Sequence, residues 1–512
     1  MENYVFGANI IENLTTGMYR DSKVIYREYI QNACDQIDKA IKQGIIKKGE
    51  EEIYIELNSL NRVITITDNA TGIGKDNFKQ TLRNIADSNK KLGEDKGFRG
   101  IGRLCGLAYC SKLIFSSTAK GENVISKMEC NAEEMRRMII ENESGKKHSA
   151  KEILEKINYF SEEIDDNKKE EHWFKVELVG INEENTDLLH FRNVKEYLSF
   201  VAPVPYKNTF IYRNMIYEQA KRIGITIDNY NIKLNGEQIF KEYKTKYNTR
   251  SGEDEIFDVS FKEFYDNEKH LIAWSWIGIS HFRGVIDRDC LMRGIRLRKE
   301  NIQIGNEDTL QQFFKEDRGI HYFVGEVFGI SRDLIPNAQR DYFNENPMRK
   351  TFEDQLKIYF SELYKVYHGG SEVNSAFKKI DEAIKKEKDF EDKQRRGLFV
   401  DIEDSQKNEE DLSRVNAEAS KAKEKLEKFK QGSSDIIKKI INHVEVKRPI
   451  INNNTDKSYP KNENPPKFIT EALSKFNKNE RKLISRIYAI IKKSVDEQTA
   501  NKIIDNIQTE LK

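Results

Sequence analysis

The sequence predicts an α+β protein of several domains, and three observations carry that reading. Its 512 residues exceed one ordinary domain and fit two to four units. Its first 190 or so residues mix helix-period and strand-period segments. From about 372 to 430 the apolar content drops and Lys/Glu-rich sequence takes over.

Each element has a local reason. Residues 24–40 carry Tyr29, Ala33 and Ile37 on one stripe, the spacing of a helix face. Residues 53–57 and 63–67 alternate apolar with polar across the polar turn 58–62, which reads as a hairpin. Residues 75–99 are polar, glycine-flanked and long for a loop, hence a suspected lid. A Lys/Glu-rich insert follows at about 143–170. Further on, 271–276 reads as a strand, and Arg293, Arg296, Arg298 and Lys299 form a basic stretch. That stretch is read as a solvated strand or loop, or as a contact for nucleic acid or phosphates. The segment 372–430 suits long exposed helices or a coiled coil, though its apolar seam is too sparse for a clean heptad. An Asn/Pro/Lys-rich linker precedes a tail in which Leu483, Ile484, Ile487, Ile490 and Ile491 mark an amphipathic helix. The expected division is 1–190, 195–365, 366–450, a linker at 451–466, and a small helical tail at 467–512.

Composition narrows the function. With 38% hydrophobic residues the chain can build cores, so wholesale disorder is excluded. Its 86 basic and 85 acidic residues give +1, which removes the overall basic excess of a nucleic-acid binder while leaving local patches open. Five scattered cysteines make no disulfide framework, and eight histidines include no H-E-x-x-H pair. No run of about 18 apolar residues is present to span a membrane. The start lacks a basic region followed by an apolar one, so a cytoplasmic location is expected. Cys105 and Cys110 read as buried thiols on an apolar helix, and Trp173, Trp274 and Trp276 as core.

Chemistry concentrates in three segments. In Arg27-Glu28-Tyr29-Ile30-Gln31-Asn32-Ala33-Cys34-Asp35, a helix puts Glu28, Asn32 and Asp35 on one face. Two carboxylates and an amide in line can activate a water and hold a hydrated Mg²⁺; a solvated polar face is the other reading. In Thr67-Asp68-Asn69-Ala70-Thr71-Gly72-Ile73-Gly74, an Asp closes an apolar strand and two glycines follow. The carboxylate suits an exocyclic amine, and the glycines permit close approach to a ring; an ordinary strand-end turn is the alternative. In Lys96-Gly97-Phe98-Arg99-Gly100-Ile101-Gly102-Arg103-Leu104, glycines before a helix leave backbone N–H groups for an anion. No G-K-[ST] follows, so it is not a Walker loop.

The order of these segments resembles the GHKL ATPases, the superfamily of gyrase, the heat-shock chaperones, histidine kinases and MutL. Glu28 to Lys39 is similar to the first motif of the ninety-kilodalton heat-shock chaperone. Ile85-Ala86-Asp87-Ser88-Asn89-Lys90-Lys91 resembles its lid, and Gly97-x-x-Gly100-x-Gly102 its phosphate loop and that of the Microrchidia ATPases. Asp333-Leu334-Ile335-Pro336-Asn337-Ala338-Gln339-Arg340-Asp341 resembles the chaperone's middle-domain loop. The resemblance implies a Bergerat α/β sandwich ATPase domain, a transducer-like α/β middle domain and a helical C-terminal region. It implies ATP and Mg²⁺, with Glu28 as general base, Asn32 as metal ligand and Asp35 beside it. Asp68 would read adenine, with Gly72 and Gly74 shaping the base pocket. Gly97, Gly100, Ile101 and Gly102 would cradle phosphates, and Ser88 and Lys91 would be lid contacts. Arg340 would reach the terminal phosphate with Asn337 as helper; a surface pair with Asp341 is the alternative for Arg340.

Two departures stand out. The family's D-x-G-x-G is stretched to Asp68-x-x-x-Gly72-x-Gly74, and the chaperones' late-strand Gly-Thr has no visible counterpart in His172-Trp173-Phe174-Lys175-Val176-Glu177-Leu178. A histidine kinase is excluded, since no histidine precedes Glu28. The expected machine is an ATP-gated homodimeric clamp of the heat-shock-chaperone-like type acting on a protein client or effector. The alternatives are a Microrchidia-like DNA clamp and a nucleotide-gated scaffold. The 46 residues after Pro466 are fewer than a chaperone's dimerisation domain, which puts generic client folding in doubt. The Lys/Ile/Asn-rich, proline-poor composition points to a bacterial source, and the resemblance to stand-alone relatives of this shape implies a bacterial anti-phage defence setting.

Overall fold

A computed structural model of the chain describes residues 6–15, 17, 21–85, 100, 102–144, 147–166, 169–395, 397–399, 402–432, 434–447, 473 and 475–511. It divides into two units, Met1–Ser280 with Gly284–Tyr364, and His281–Arg283 with Lys365–Lys512.

In the first unit a short helix α1 (Asn9–Thr15) precedes α2 (Val24–Lys42), whose apolar face Ile25, Tyr29, Ala33 and Ile37 is fully withdrawn from solvent. Strands β1 (Ile53–Asn58) and β2 (Val63–Asp68) pair antiparallel, with Ile55 opposite Ile66, as the alternation of the sequence demands. Helix α3 (Lys75–Arg83) follows, so the suspected lid segment is helical over its first third. A 3₁₀ helix, Gly102–Ala108, leads into β3 (Cys110–Thr118) and β4 (Val124–Asn131). Cys105 therefore lies on a 3₁₀ turn and Cys110 opens a strand, rather than both sitting on one α-helix; both are buried. The expected insert contains helix and strand: α4 (Ala132–Glu143), α5 (Ala150–Ile157) behind a Ser149/Glu152 capping box, and β5 (Asn158–Ile164). Then come β6 (Trp173–Ile181), α6 (Phe191–Val201), α7 (Arg213–Arg222), β7 (Ile232–Leu234) and β8 (Glu237–Gln238).

The eight strands form one sheet in the order β5-β4-β3-β6-β2-β1-β7-β8. Ile64, Ile66, Leu113, Phe115, Val176 and Leu178 lie in rows across it and share a core with α2. Each such side chain contributes about 1.5–3 kcal/mol through burial. This core fixes α2, and with it the face bearing Glu28.

After a two-stranded hairpin, β9 (Lys246–Thr249) and β10 (Gly252–Glu255), a five-stranded sheet follows in the same unit. Its strands are β11 (Asp258–Tyr265), β12 (Leu271–Ile279), β13 (Gly294–Lys299), β14 (Ile302–Ile304) and β15 (Val324–Gly329), ordered β11-β12-β15-β13-β14. Trp274 and Trp276 of β12 are fully buried, while Trp173 is half-buried. Arg296, Arg298 and Lys299 are neither solvated nor available to nucleic acid, because β13 is buried along its whole length; Arg293, just before the strand, is half-buried. The reason lies on a neighbouring strand. Glu326 of β15 accepts from Arg298 Nε, from Lys241 Nζ at 3.2 Å, from Tyr243 Oη at 3.0 Å and from Trp276 Nε1 at 3.1 Å. Arg298 also donates to the Phe200 carbonyl at the end of α6, 2.7 Å away. Charges so buried persist only when paired and hydrogen-bonded.

Helix α8 (Pro347–Arg395) begins in the first unit, where Phe352 packs on Phe343 and Tyr359 on Phe264. In the second unit its later turns lie antiparallel to α9 (Ile402–Gly432). Glu372 pairs with Lys425, Lys379 with Glu418 and Lys386 with Asp411, a seven-residue step forward on one helix matched by seven back on the other. On α9 the buried residues are Leu412, Val415, Ala419, Ala422 and Leu426, a regular three–four alternation. The seam reads as sparse in sequence because alanines, Ala419 and Ala422, fill two consecutive layers. Helix α10 (Asp435–Lys447) follows, then α11 (Lys478–Ser494) and α12 (Glu497–Glu510). Around Tyr488, Ile484 and Ile491 pack with Leu473 and Ile504, whereas Leu483, Ile487 and Ile490 are exposed. The expected linker at 451–466 lies outside the described residues. Among the described residues no helix is long and apolar enough to cross a membrane.

Candidate functional site

Helix α2 carries Glu28 and Asp35 buried and Asn32 half-buried on one face. Its register is held from below by Tyr29, whose hydroxyl donates to the Arg103 carbonyl at 3.0 Å and accepts from Gly106 N at 3.2 Å. Those bonds fasten the helix to the 3₁₀ segment, and they bring Gly102 against Glu28. A Cβ on Gly102 would stand 2.3 Å from Glu28 Oε2, so only glycine leaves the carboxylate where it is. Gly100, just before, has φ +70°, the left-handed backbone that turns successive N–H groups toward one point. Gly102 heads a 3₁₀ helix rather than the α-helix expected after the glycine run. Ser88, Lys91, Gly97 and Ile101 lie outside the described residues.

Asp68 ends β2 and is buried, opposite Phe174 of β6 in register. Burial pushes its carboxyl up to about 7, partly offset by the Ala70 N–H donating to Oδ1 at 3.1 Å. Of the two extra residues of the stretched loop, Ala70 stays on Asp68 through that N–H, while Asn69 binds the approach to β1. Asn69 accepts from Glu52 N at 2.9 Å and donates to the Glu50 carbonyl at 2.8 Å, and Ala70 is buried. Gly72 can then occupy φ +63°, where a Cβ would sit 1.9 Å from the Thr118 carbonyl oxygen. Gly74 caps α3 in an extended conformation beside Glu122. The loop is tied to α2 by Thr71 Oγ1 donating to Gln36 Oε1 at 3.2 Å. It is tied to β3 by Ile73 N donating to Ser117 Oγ at 2.8 Å. The strand suspected of replacing the late Gly-Thr is β6, and it places the phenyl-bearing Phe174, with no hydroxyl, beside Asp68.

The Asp333–Asp341 segment forms an irregular hairpin after β15. Asn344 N donates to the Ile335 carbonyl at 2.8 Å, Pro336 bridges Phe343, and Asn337 N donates to the Tyr342 carbonyl at 2.9 Å. At its tip Arg340 has φ +55°, a strained value for a residue with a side chain. Arg340 is buried, and its guanidinium does not follow the surface-pair alternative. Burial pushes it down from its ordinary value, with the Glu28 charge as the chief opposing influence and Glu300 and Asp35 adding to it. Asp341 bonds Asn337 instead, its N–H donating to Asn337 Oδ1 at 3.2 Å. The side chain of Asn337 thus pins the turn.

Sequence reasoning passed over Arg27. Its Nη2 lies 3.4 Å from Glu28 Oε1 and donates to the Gln339 carbonyl at 3.2 Å, joining α2 to the Arg340 loop. Its place next to Glu28 was the available signal, but neighbours on a helix do not share a face, so the pairing depends on the distant loop.

Helix α2 thus presents a buried carboxylate, an amide and a second carboxylate, with Gly102 against Glu28 and the Arg340 loop tied to Arg27, and the same unit carries a deep carboxyl at a strand end. These residues fit a Mg²⁺-bound adenine nucleotide. Gly102 leaves the Glu28 carboxylate the space that a Cβ would take, and a carboxyl as deeply buried as Asp68 suits a hydrogen-bond donor such as an exocyclic amine.

Residues 22–160 match the family model described as histidine kinase-, DNA gyrase B-, and HSP90-like ATPase. The chain is similar to the chaperone protein HtpG of Methylorubrum populi, 26% identical over 113 residues, covering 20% of this chain and 18% of the relative. It is similar to HtpG of Acinetobacter baylyi, 28% identical over 141 residues, covering 23% and 22%. It is also similar to an endoplasmin homolog of Dictyostelium discoideum, 33% identical over 91 residues, covering 16% and 12%. The chain spans no more than 22% of the length of these curated relatives. Residues 22–160 are a GHKL ATPase domain, and its similarity lies with the HtpG and Hsp90-like chaperones.

Proposed function

We propose that the chain is a Mg²⁺-dependent ATPase working as an ATP-gated conformational switch, a homodimeric clamp of the heat-shock-chaperone-like kind. The observation that carries this reading is the convergence of Glu28, Gly102, Arg27 and the Arg340 loop within one unit. In this reading Glu28 takes the proton of the attacking water, a role whose distance demand is tight. Asn32 holds Mg²⁺, with Asp35 beside it, and the bound ion offsets phosphate charge. Asp68 accepts from the exocyclic amine of adenine, and Gly72 and Gly74 let the backbone approach the ring. Gly97, Gly100, Ile101 and Gly102 cradle the phosphates, and Ser88 and Lys91 contact them from the lid. Arg340 stabilises charge on the terminal phosphate and senses its presence, while Asn337 helps by holding the turn.

The domain division at 1–190, 195–365, 366–450, 451–466 and 467–512 is part of the proposal. So are a protein client or effector as partner, a cytoplasmic location and a bacterial anti-phage setting, which rests on the resemblance to stand-alone relatives of this shape. The DNA-clamp alternative draws no support from Arg296, Arg298 and Lys299, which are buried.

Light scattering of the Glu28→Ala protein, with and without Mg·ATP, tests the proposal. Hydrolysis should fall by roughly 10²–10⁴-fold while nucleotide stays bound. ATP-dependent compaction, or a shift from monomer to dimer, would support the clamp. An assembly unchanged by bound ATP would favour a nucleotide-gated scaffold, and a wild-type turnover rate would remove Glu28 from its role.

A further inference from the structure

The loop that presents Arg340 is long, irregular and strained at its tip, so something must hold it. Two residues fasten it at opposite ends, and both come from the β13–β14 hairpin. At the root, Lys299, the last residue of β13, is buried. Its Nζ donates to the carbonyls of Ile330 at 3.3 Å and Ser331 at 2.7 Å, the first residues after β15. The N–H groups of the same two residues both donate to the Ile272 carbonyl, at 2.8 and 3.0 Å. The chain leaving β15 is thus gripped on both sides. At the tip, Gly305, the residue after β14, donates its N–H to the Arg340 carbonyl at 2.8 Å. Gly305 has φ +65°, and a Cβ there would stand 2.0 Å from Thr309 Oγ1 and 2.6 Å from the Asp341 carbonyl oxygen.

We infer that Lys299 and Gly305 are positioning residues for Arg340: the hairpin is a saddle that sets the root and tip of its loop and so delivers the guanidinium to Glu28. The chemistry explains both residue types. An ammonium reaches two carbonyl oxygens as a charged donor, stronger than a neutral hydrogen bond. A glycine is the residue that can both take the left-handed turn and let the loop's backbone come within bonding distance. The hairpin cannot tilt freely, because Arg298, next to Lys299, is locked to Glu326 and to the Phe200 carbonyl. Delivery of Arg340 is therefore set by the second sheet as a body, and Arg27 meets the loop at its Gln339 carbonyl.

This inference rests on the reading of Arg340 as a group acting on the terminal phosphate, and the test separates the two. Full-length Lys299→Met, Lys299→Arg, Gly305→Ala and Arg340→Ala are compared by ATP turnover and by amide hydrogen exchange across 331–344. In Lys299→Met and Gly305→Ala, kcat should fall about tenfold or more, with KM for ATP within about twofold of wild type. Exchange in 331–344 should rise, and Lys299→Arg should recover most of both. A role in stability alone would lower the melting temperature without splitting kcat from KM and without rescue by arginine. If Arg340→Ala loses turnover while Lys299→Met and Gly305→Ala keep it, the saddle is wrong and the reading of Arg340 stands. If Arg340→Ala turns over at the wild-type rate, the reading of Arg340 falls and this inference with it. Exchange across 331–344 unchanged in Lys299→Met and in Gly305→Ala overturns the saddle whatever the turnover.

Discussion

One terminal nitrogen of Arg27 serves two acceptors, Glu28 Oε1 at 3.4 Å and the Gln339 carbonyl at 3.2 Å, across 312 residues of sequence. The proposed base and the loop of the proposed phosphate arginine therefore share a donor. Removing it should leave nucleotide affinity nearly intact and impair turnover. Hydrogen bonds to charged groups contribute about 1.5–3 kcal/mol, so Arg27→Met should lower kcat by roughly ten- to a hundredfold. Steady-state kinetics over a range of ATP concentrations checks this, and an unchanged kcat would leave Arg27 as packing only.

Gly102 and Gly72 predict opposite balances of effect. A Cβ at Gly102 meets a side-chain carboxylate that can move, so Gly102→Ala should fold but displace Glu28, losing turnover more than nucleotide binding. A Cβ at Gly72 meets the Thr118 carbonyl of the sheet at 1.9 Å with φ +63°, where nothing can yield cheaply. Gly72→Ala should lower stability by more than about 1 kcal/mol. Denaturant titration beside turnover separates the two; equal stability losses would count against the contrast.

Asp68 predicts a pH dependence. Its folded-state value, about 7, lies above the usual 3.8, so without nucleotide it favours the folded state at low pH. That contribution is present below about pH 4 and is lost as pH rises through about 7. An amine donor wants the carboxylate, so ATP should bind more tightly at pH 8 than at pH 6, by at most tenfold per unit below 7. Calorimetry at both values in two buffers should also register proton release on binding at pH 6–7. Asp68→Asn should abolish binding, and retained affinity there would remove Asp68 as the base reader.

Glu326 predicts the opposite sign. Burial pushes it up, but Arg298 and then Lys241 outweigh burial and hold it at about 2, below the usual 4.5. Its contribution to stability is present above about pH 4.5 and is lost as pH falls through about 2. Glu326→Gln leaves two cations facing each other in a dry core and should cost about 3–5 kcal/mol. Urea unfolding from pH 2 to 6 would reveal both the slope and its disappearance in the variant.

The elements legible in the sequence are those whose pattern is local. The stripe through Tyr29, Ala33 and Ile37 gave α2, and the alternation at 53–57 and 63–67 gave the hairpin, because helix and strand periods follow from backbone geometry. The matched family model spans the three motif segments, whose order alone pointed to a GHKL ATPase domain. Other features depend on partners that no local pattern names. Arg298 reads as surface until β15 places Glu326 beside it. The α8–α9 seam reads as too thin until the antiparallel register lines up ion pairs at seven-residue steps. No local pattern says where the extra Asn69-Ala70 goes; Asn69 bonds the approach to β1, and the Ala70 N–H bonds Asp68.

What the sequence by itself determined is thus the inventory of chemistry on each segment: the helix face of Glu28, Asn32 and Asp35, the carboxyl of Asp68 at a strand end, and glycines where side chains would collide. What the tertiary structure decided is which segments meet. The Arg340 loop comes to α2 because the second sheet sends β15 out beside β13, Lys299 and Gly305 bond the loop at both ends, and Arg27 meets it at Gln339. Periodicity is set within a few residues by backbone geometry. Meetings across 312 residues are set by strand order and by the need of every buried charge for a partner.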